Sequence, residues 1–174
     1  MVKAIFPGTF DPIHFGHIDI ALRAAELFDE LIIGVYDRPL KNLLFSSEER
    51  KEMATRSFEG HPKIIVKGYS NLTVDFCKEM NAKVIVRGLR VFSDFEHEFR
   101  MALANRRLSK EIEVAALITS EEHTFLSSST VKEIASLHGD VSTMVPEHVE
   151  KALKLRMKRN PKEDQANNYT SLRD

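Results

Sequence analysis

Two histidines lie in a stretch of this chain whose residue types and spacing could bind a phosphate and act on it. The stretch is Gly8-Thr9-Phe10-Asp11-Pro12-Ile13-His14-Phe15-Gly16-His17, and it follows a short apolar run, Ala4-Ile5-Phe6. The apolar run predicts a buried strand, the Pro/Gly break a loop, and the periodicity after it a helix beginning beside His17. A helix N-terminus presents unpaired N–H groups and partial positive charge to an anion, and Gly16 lets a ligand approach the backbone. The stretch therefore predicts a nucleotide-phosphate site.

The histidine pair alone leaves two other interpretations open. His14 and His17 could be structural, or they could bind a metal ion. A metal site is the weaker interpretation because no third His or Cys lies at a suitable nearby spacing. The single cysteine, Cys77, excludes an internal disulfide and a cysteine-rich zinc site. We therefore predict no metal ligands in the protein itself.

The elements that must position this stretch belong to one domain of ordinary globular composition. The chain has 174 residues, of which 43% are hydrophobic and 29% charged, and this is enough to bury a core. A formal net charge of −1 gives no general basic field, so we expect no nucleic-acid partner. No apolar run approaches the ~20 residues that cross a bilayer, and the first strand leaves no room for a signal peptide. We expect a cytoplasmic protein without a membrane partner.

Apolar runs and amphipathic segments alternate along the chain. Strands are predicted at about 2–6, 31–36, 63–66, 83–86 and 113–118. Helices are predicted at about 15–28, 72–80, 94–108 and 128–137, with one more beginning after the capping box of Ser46 and Glu49 and another at Pro146. This alternation predicts an α/β fold, a single Rossmann-like doubly wound domain with a five-stranded parallel sheet over residues 1–159. Residues 160–174 are polar and predict a flexible C-terminal tail.

In doubly wound sheets ligands bind beyond the carboxyl ends of the strands, and four loops of this chain carry polar residues there. Lys41 follows the second strand, but a lysine in a polar loop is usually only solvated. Arg87-Gly88-Leu89-Arg90 is placed just beyond the fourth strand. Two guanidinium groups there predict a phosphate clamp, with surface ion pairs as the alternative. Ser127-Ser128-Ser129 follows the fifth strand and predicts a helix cap, which can itself bind phosphate.

Together these motifs resemble those of bacterial phosphopantetheine adenylyltransferases, a branch of the nucleotidyltransferase superfamily that carries a T/HxGH signature. The resemblance covers about residues 2–157. It rests on residues 7–12, 16–19, 87–90, 94–96, 127–133, 139–141 and 145–146. Nicotinate mononucleotide adenylyltransferases typically carry an ISxTxxR-like motif in the serine loop, where this chain has Ser-Ser-Ser-Thr-Val-Lys.

The resemblance implies transfer of AMP from ATP to 4′-phosphopantetheine, giving dephospho-coenzyme A and pyrophosphate. It implies that His17 donates a hydrogen bond to the α-phosphate in the transition state. Lys41 and Arg90 would neutralise developing charge, and Thr9 would orient the incoming phosphate and ATP. It also implies Mg²⁺ used with ATP, a homohexamer, and inhibition by coenzyme A.

The resemblance further implies two sets of binding residues. The ATP-binding set is Thr9, Phe10, His17, Gly88, Leu89, Arg90, Glu98, His123, Thr124, Phe125, Leu126, Ser127, Ser128 and Ser129. The set that binds phosphopantetheine is Thr9, Lys41, Thr73 and Arg87. His14 is expected beside the phosphates, and His97 is assigned no role. Asp11, which precedes a proline, is expected to brace the turn.

Two alternatives stay open at this point. The same fold could act on another substrate, as a cytidylyltransferase or a nicotinate mononucleotide enzyme. The chain could instead be a non-catalytic nucleotide-binding or RNA-binding module. The near-neutral charge and the absence of tryptophan disfavour an RNA-binding module, which needs basic patches and stacking aromatics.

Overall fold

Five parallel strands form one sheet, and helices connect them. A computed structural model of the chain describes residues 1–38 and 42–159. The strands are β1 (Lys3–Gly8), β2 (Glu30–Tyr36), β3 (Ile64–Tyr69), β4 (Val84–Leu89) and β5 (Glu113–Ile118). The α-helices of these ranges are α1 (Phe15–Leu27), α2 (Ser47–Ser57), α3 (Thr73–Glu79), α4 (Phe92–Leu108), α5 (Ser128–Ser136) and α6 (Glu147–Arg159). A short 3-10 helix, Glu121–His123, precedes α5.

The strand order makes the sheet doubly wound. The order across the sheet is β3-β2-β1-β4-β5 and every neighbouring pair is parallel, which confirms the predicted fold class. β1 pairs with β2 along its whole length, but with β4 only at Ala4 and Ile5. The strand order reverses between β1 and β4, so these two strands separate at the topological switch point, where such sheets bind ligands.

Each face of the sheet buries its own apolar cluster because side chains alternate along a strand. On β2, Leu31 and Ile33 pack with residues of α1, α2, α5 and α6, whereas Ile32 packs with residues of α3 on the opposite face. Gly34 allows α3 to approach closely, since a Cβ there would lie 3.1 Å from the Phe76 ring. A sheet covered on both faces is a rigid support for the residues at its strand ends.

Two helices begin at the caps that the sequence predicts. The Ser46 hydroxyl accepts a hydrogen bond from the Glu49 amide at 3.2 Å, and the Glu49 carboxylate accepts one from the Ser46 amide at 2.8 Å. The Ser127 hydroxyl accepts a hydrogen bond from the Thr130 amide at the start of α5, at 3.0 Å. Each cap satisfies amides that the helix itself leaves unpaired.

The prediction for the fourth strand is wrong at its end. Arg87, Gly88 and Leu89 lie inside β4, because the ladder with β5 continues as far as Leu89 opposite Ile118. The ladder is made by backbone groups, so a polar side chain and a glycine do not end it. The predicted tail, residues 160–174, lies outside the described residues. Within the described ranges, no helix is long and apolar enough to span a membrane.

Candidate active site

A pocket of about 400 Å³ opens where β1 and β4 separate, a size in the range of small-molecule sites. One side is formed by the turn between β1 and α1, here called the β1 wall (residues 8–17). The other side, here called the β4 wall, consists of residues 87–90 with Asp94 and Glu98 of α4. Ser127, Ser128 and Ser129 complete the lining at the start of α5.

The buried ring of Phe10 fixes the course of the β1 wall. Phe10 has a φ of +48°, a conformation that is costly for a bulky residue. Its ring packs edge-on against Phe6 and His17, with centroid distances of 5.6 and 5.0 Å. Phe10 is 2% exposed, so its ring serves as packing beneath the pocket.

The two histidines stack, and their hydrogen bond selects the tautomer of His17. Their ring centroids lie 3.6 Å apart, and the His14 amide donates to His17 Nδ1 at 3.3 Å. Because Nδ1 accepts this bond, the proton of a neutral His17 ring resides on Nε2. His17, which is half-buried and lines the pocket, thus has a hydrogen-bond donor at Nε2.

His14 is kept neutral by its surroundings. Burial lowers the pKa of His14 to about 3, and the positive charges of Arg90 and His123 act in the same direction. Nδ1 of His14 is buried and has no hydrogen-bond partner among the described residues. A Cβ at Gly16 would lie 3.1 Å from the His14 ring, so the glycine lets the helix start pack against this ring. His14 therefore shapes the pocket as an uncharged ring.

Asp11 braces the turn, as expected. Its carboxylate is 1% exposed and accepts hydrogen bonds from the amides of Leu44 and Phe45, at 3.0 and 2.9 Å. Lys132 of α5 donates to it at 2.8 Å. Asp11 therefore ties the β1 wall both to the chain entering α2 and to α5.

Arg50 of α2 supports the same turn by hydrogen bonds to its backbone, a role that the sequence did not predict. Its guanidinium is 1% exposed and donates to the carbonyl oxygens of Thr9 and Tyr36, at 2.6 and 2.9 Å. A further bond of 3.3 Å reaches the Phe45 carbonyl. Burial lowers the pKa of Arg50, while the charges of Asp11, Asp37 and Glu48 oppose that effect. The signal available in the sequence was the position of Arg50 on the helix, because residues 50, 53 and 54 share one face of α2.

The β4 wall carries two arginines, and each is paired with a carboxylate of α4. Arg87 Nε and Nη2 donate to Glu98 at 2.7 and 2.6 Å, and its Nη1 donates to the Pro7 carbonyl at 3.1 Å. Arg90 Nε donates to Asp94 at 3.1 Å, and its Nη1 donates to the Leu126 carbonyl at 2.8 Å. Both guanidinium groups line the pocket. This wall therefore offers cations to an anionic ligand.

The segment from Ser120 to Ser128, which leads from β5 to α5, is hydrogen-bonded to both α1 and the β1 wall. Asp19 of α1 accepts hydrogen bonds from the amide and hydroxyl of Ser120, at 3.3 and 3.0 Å. Hydrogen bonds from Ser120 and Arg23 lower the pKa of the Asp19 carboxyl, although its partial burial opposes them. The Ser128 hydroxyl donates to the Pro12 carbonyl at 2.9 Å. These bonds place the N-terminus of α5 at the pocket.

The structure brings most of the predicted site residues together. The predicted residues that line the pocket are Thr9, Phe10, His14, His17, Arg87, Gly88, Arg90, Glu98, Ser127, Ser128 and Ser129. Those that lie outside its lining are Leu89, Thr73, His123, Thr124, Phe125 and Leu126. Lys41 lies outside the described residues. The binding role of each of these residues stays a prediction.

For two of the predicted residues outside the pocket lining, the structure shows which other contacts they make. Thr73 begins α3, where its hydroxyl shares a 3.0 Å hydrogen bond with the Tyr69 hydroxyl. Leu126 is completely buried and contributes its carbonyl to Arg90 rather than its side chain to the pocket.

Three lining residues with polar side chains carry no predicted binding role. They are Asp94 and His97 of α4 and Thr119, which follows β5. For the two residues on α4 a signal existed, since positions 94, 97 and 98 share the helix face of Glu98.

A small-molecule pocket at the switch point, with imidazole, guanidinium and a helix N-terminus around it, is typical of a nucleotide-binding α/β domain. The family model described as cytidylyltransferase-like matches residues 5–134. A phosphopantetheine adenylyltransferase of Roseiflexus sp. (strain RS-1) is 50% identical over 154 residues, covering 88% of this chain and 96% of that protein. One of Carboxydothermus hydrogenoformans is 49% identical over 155 residues, covering 89% and 94%. The chain therefore belongs to the phosphopantetheine adenylyltransferases, which are nucleotidyltransferase enzymes.

A solved structure supports the fold independently. A Vibrio parahaemolyticus protein provisionally described as a nicotinate-nucleotide adenylyltransferase matches with a TM-score of 0.66. The match covers 88% of this chain and 99% of that one, at 17% sequence identity. At this identity the likeness shows the shared fold alone.

Proposed function

We propose that this protein transfers the adenylyl group of ATP to 4′-phosphopantetheine, giving dephospho-coenzyme A and pyrophosphate in coenzyme A biosynthesis. The observation that carries the proposal is the pocket at the switch point, which His17, Arg87 and Arg90 line together. Relatives named for this activity are 49–50% identical over nearly their whole length. A phosphate oxygen of the acceptor bonds to the α-phosphorus of ATP. The bond from that phosphorus to the α,β-bridging oxygen breaks, and pyrophosphate leaves.

The proposed mechanism depends on positioning and charge stabilisation. An ionised phosphate is already a nucleophile, so no general base is required, and the barrier falls chiefly through preorganised donors. We propose that His17 donates from Nε2 to an α-phosphate oxygen as charge develops there. Thr9, whose carbonyl is held by Arg50, would orient the incoming phosphate. Arg90 and Lys41 would neutralise charge on the transferred and leaving phosphates.

We propose that ATP enters as its Mg²⁺ complex. No group of three or more His, Cys, Asp or Glu residues within the described ranges is arranged to hold a metal ion. Mg²⁺ commonly retains water and binds through substrate phosphates, so the triphosphate is its natural ligand here. The ion would offset phosphate charge that the arginines do not reach.

We also propose that the protein forms a homohexamer. Phe95, Phe99 and Leu103 recur every fourth residue on α4 and are about half exposed, and the first two rings stack at 5.9 Å. An exposed apolar stripe of this kind is typical of a protein contact, and a symmetric assembly would cover it. Sedimentation of the purified protein would give the oligomer mass, and Leu103→Asp should dissociate it.

Coenzyme A is proposed as an inhibitor because it retains both halves of the reaction product, the adenylyl group and the pantetheine phosphate. It should therefore compete for the same pocket. A cytoplasmic location is proposed as well. Titration of pyrophosphate release with coenzyme A tests the inhibition directly.

The deciding experiment is a choice of acceptor. Incubation with MgATP and 4′-phosphopantetheine should release pyrophosphate, whereas nicotinate mononucleotide should be inert. The reverse pattern would assign the pocket to the other substrate. Binding of ATP without turnover on any phosphorylated acceptor would instead indicate a non-catalytic nucleotide-binding module.

A further inference from the structure

We propose that Asp94, a residue with no assigned function, is a positioning residue that holds Arg90 in the geometry in which it meets the substrate phosphates. The inference rests on the proposed adenylyl transfer and adds to it the element that fixes the orientation of the Arg90 side chain. That element is the first turn of α4, which lies directly after β4 in the chain.

The carboxylate of Asp94 contacts both ends of Arg90. Asp94 Oδ2 accepts from Arg90 Nε at 3.1 Å and from the Arg90 amide at 3.3 Å, while Oδ1 accepts from Nη2 at 3.4 Å. The carbonyl of Leu126 takes one N–H of Nη1 at 2.8 Å. The backbone and the guanidinium of Arg90 are therefore fixed by the same residue, which restricts the rotamers of a long side chain.

A count of donors shows what remains for a ligand. A guanidinium has five N–H groups. Asp94 uses the Nε–H and one N–H of Nη2, and Leu126 uses one N–H of Nη1. Among the described residues, one N–H on each terminal nitrogen is left for a ligand, and a guanidinium that offers two N–H groups can bind a phosphate through two oxygens. Asp94 thus orients Arg90 without consuming its ligand-binding edge.

The neighbouring arginine has the same arrangement. Glu98, one helical turn beyond Asp94, takes the Nε and Nη2 edge of Arg87, and the Pro7 carbonyl takes Nη1. Each arginine of this wall is held by a carboxylate of α4 and by a backbone carbonyl from another part of the chain, Pro7 of β1 for Arg87 and Leu126 before α5 for Arg90. This repetition makes an incidental ion pair a poor explanation. The repeated pattern indicates that α4 sets the direction of both cations.

The same helix supplies a matched control. Glu96 forms an ion pair with Arg100, also four residues apart, but both side chains are more than 70% exposed and neither lines the pocket. An exposed pair of this kind contributes little to stability or function. Glu96→Gln therefore removes the same charge from α4 without touching the β4 wall.

The experiment compares Asp94→Asn, Asp94→Glu and Glu96→Gln as full chains in steady-state assays. Asp94→Asn should lower kcat about 10- to 100-fold, because a donor displaced by an ångström loses most of its effect on the transition state. KM for 4′-phosphopantetheine should change less than about twofold, since Arg90 acts on ATP. Asp94→Glu should recover part of kcat, and Glu96→Gln should leave both constants unchanged.

A double-mutant cycle separates positioning from a structural role. In an Arg90→Ala background, Asp94→Asn should cause no further loss of kcat, because the group it positions is gone. An equal loss in both backgrounds would overturn the inference, and so would equal behaviour of Asp94→Asn and Glu96→Gln. If Asp94→Asn unfolds at the assay temperature, Asp94→Glu in the two backgrounds carries the same comparison. If the wild type uses another acceptor, the proposed function fails, and the cycle is still measurable with that acceptor.

Discussion

The two walls of the pocket are built in opposite ways. The β1 wall is almost entirely buried, and its shape depends on the uncharged His14 ring, the Phe10 ring and backbone groups bonded to Asp11 and Arg50. The β4 wall instead presents side chains that are about one-third exposed, since the values for Arg87 and Arg90 are 32% and 37%. Its order comes from ion pairs with α4 rather than from packing.

This difference assigns a different task to each wall. A buried, neutral wall keeps a hydrogen-bond donor in place without reorganisation, which is what stabilisation of a transition state requires. A wall of paired cations can adjust its bonds when a charged ligand arrives, because each arginine keeps N–H groups that no described residue uses. Changes in the β1 wall should therefore alter kcat or folding stability, and changes in the β4 wall should alter kinetic constants while leaving stability nearly intact.

The largest effect is expected for His17→Ala. Loss of a preorganised donor should lower kcat by about 10²–10³, or about 2.7–4 kcal/mol of transition-state stabilisation. ATP affinity should change much less, since the donor acts mainly on the transition state. Steady-state kinetics and ATP titration measure the two quantities. His61→Ala, at an exposed site away from the pocket, is the control, and an unaltered kcat for His17→Ala would remove His17 from the mechanism.

Arg50→Met tests whether the β1 wall depends on its buried support. The substitution leaves the carbonyls of Thr9, Tyr36 and Phe45 without their donor. At about 1–3 kcal/mol for each unsatisfied buried group, the free energy of unfolding should fall by about 3 kcal/mol or more. Urea denaturation measures it. Arg56→Met alters an exposed arginine of the same helix and should cost less than about 0.5 kcal/mol. Equal losses for both variants would show that Arg50 is not a support of the wall.

The sequence was sufficient for the parts of the molecule that follow periodic rules. Alternating strands and helices predicted the sheet, and β5 begins and ends where it was expected. The caps at Ser46 and Ser127 follow from local residue types alone. A local pattern could not predict that Arg87 lies inside β4, because the ladder there depends on β5, which lies further along the chain.

The site residues that were predicted differ from those that were missed in how far their roles depend on the fold. The histidines and arginines stand out because their residue types and spacing are visible in the sequence. Arg50 and Asp94 were missed because their roles depend on partners that the fold supplies. The partner of Arg50 is the distant Thr9 carbonyl, and the partner of Asp94 is the Arg90 guanidinium. Residues that position other residues leave little signal of their own.

The neutral state of His14 should appear as acid sensitivity of folding. Its pKa is about 3 in the folded chain against an ordinary value of 6.5, so the unfolded state binds the proton more readily. The contribution to stability is present above pH 6.5 and is lost as the pH falls from 6.5 towards 3. Between pH 6.5 and 4.5 this group should remove about 2 kcal/mol from the free energy of unfolding.

Comparison with His14→Asn isolates that contribution, since asparagine is a good residue for the first position before a helix. The variant should lose less stability than the wild type over the same pH interval in urea denaturation. Parallel pH profiles for the two proteins would mean that the β1 wall does not depend on an uncharged ring, and the contrast between the walls would lose one of its main supports.

The smallest effect is expected for Glu98→Gln in the β4 wall. Stability should change by about 1 kcal/mol or less, because the pair with Arg87 is partly solvated. KM for 4′-phosphopantetheine should rise about fivefold, or about 1 kcal/mol, as Arg87 loses its orientation. Glu113→Gln removes a carboxylate from an exposed pair at the opposite end of the sheet and should change neither quantity. An increase confined to KM for ATP would show that Glu98 acts on the nucleotide itself. The carboxylates of α4 would then divide their tasks, with Asp94 positioning an arginine and Glu98 binding substrate.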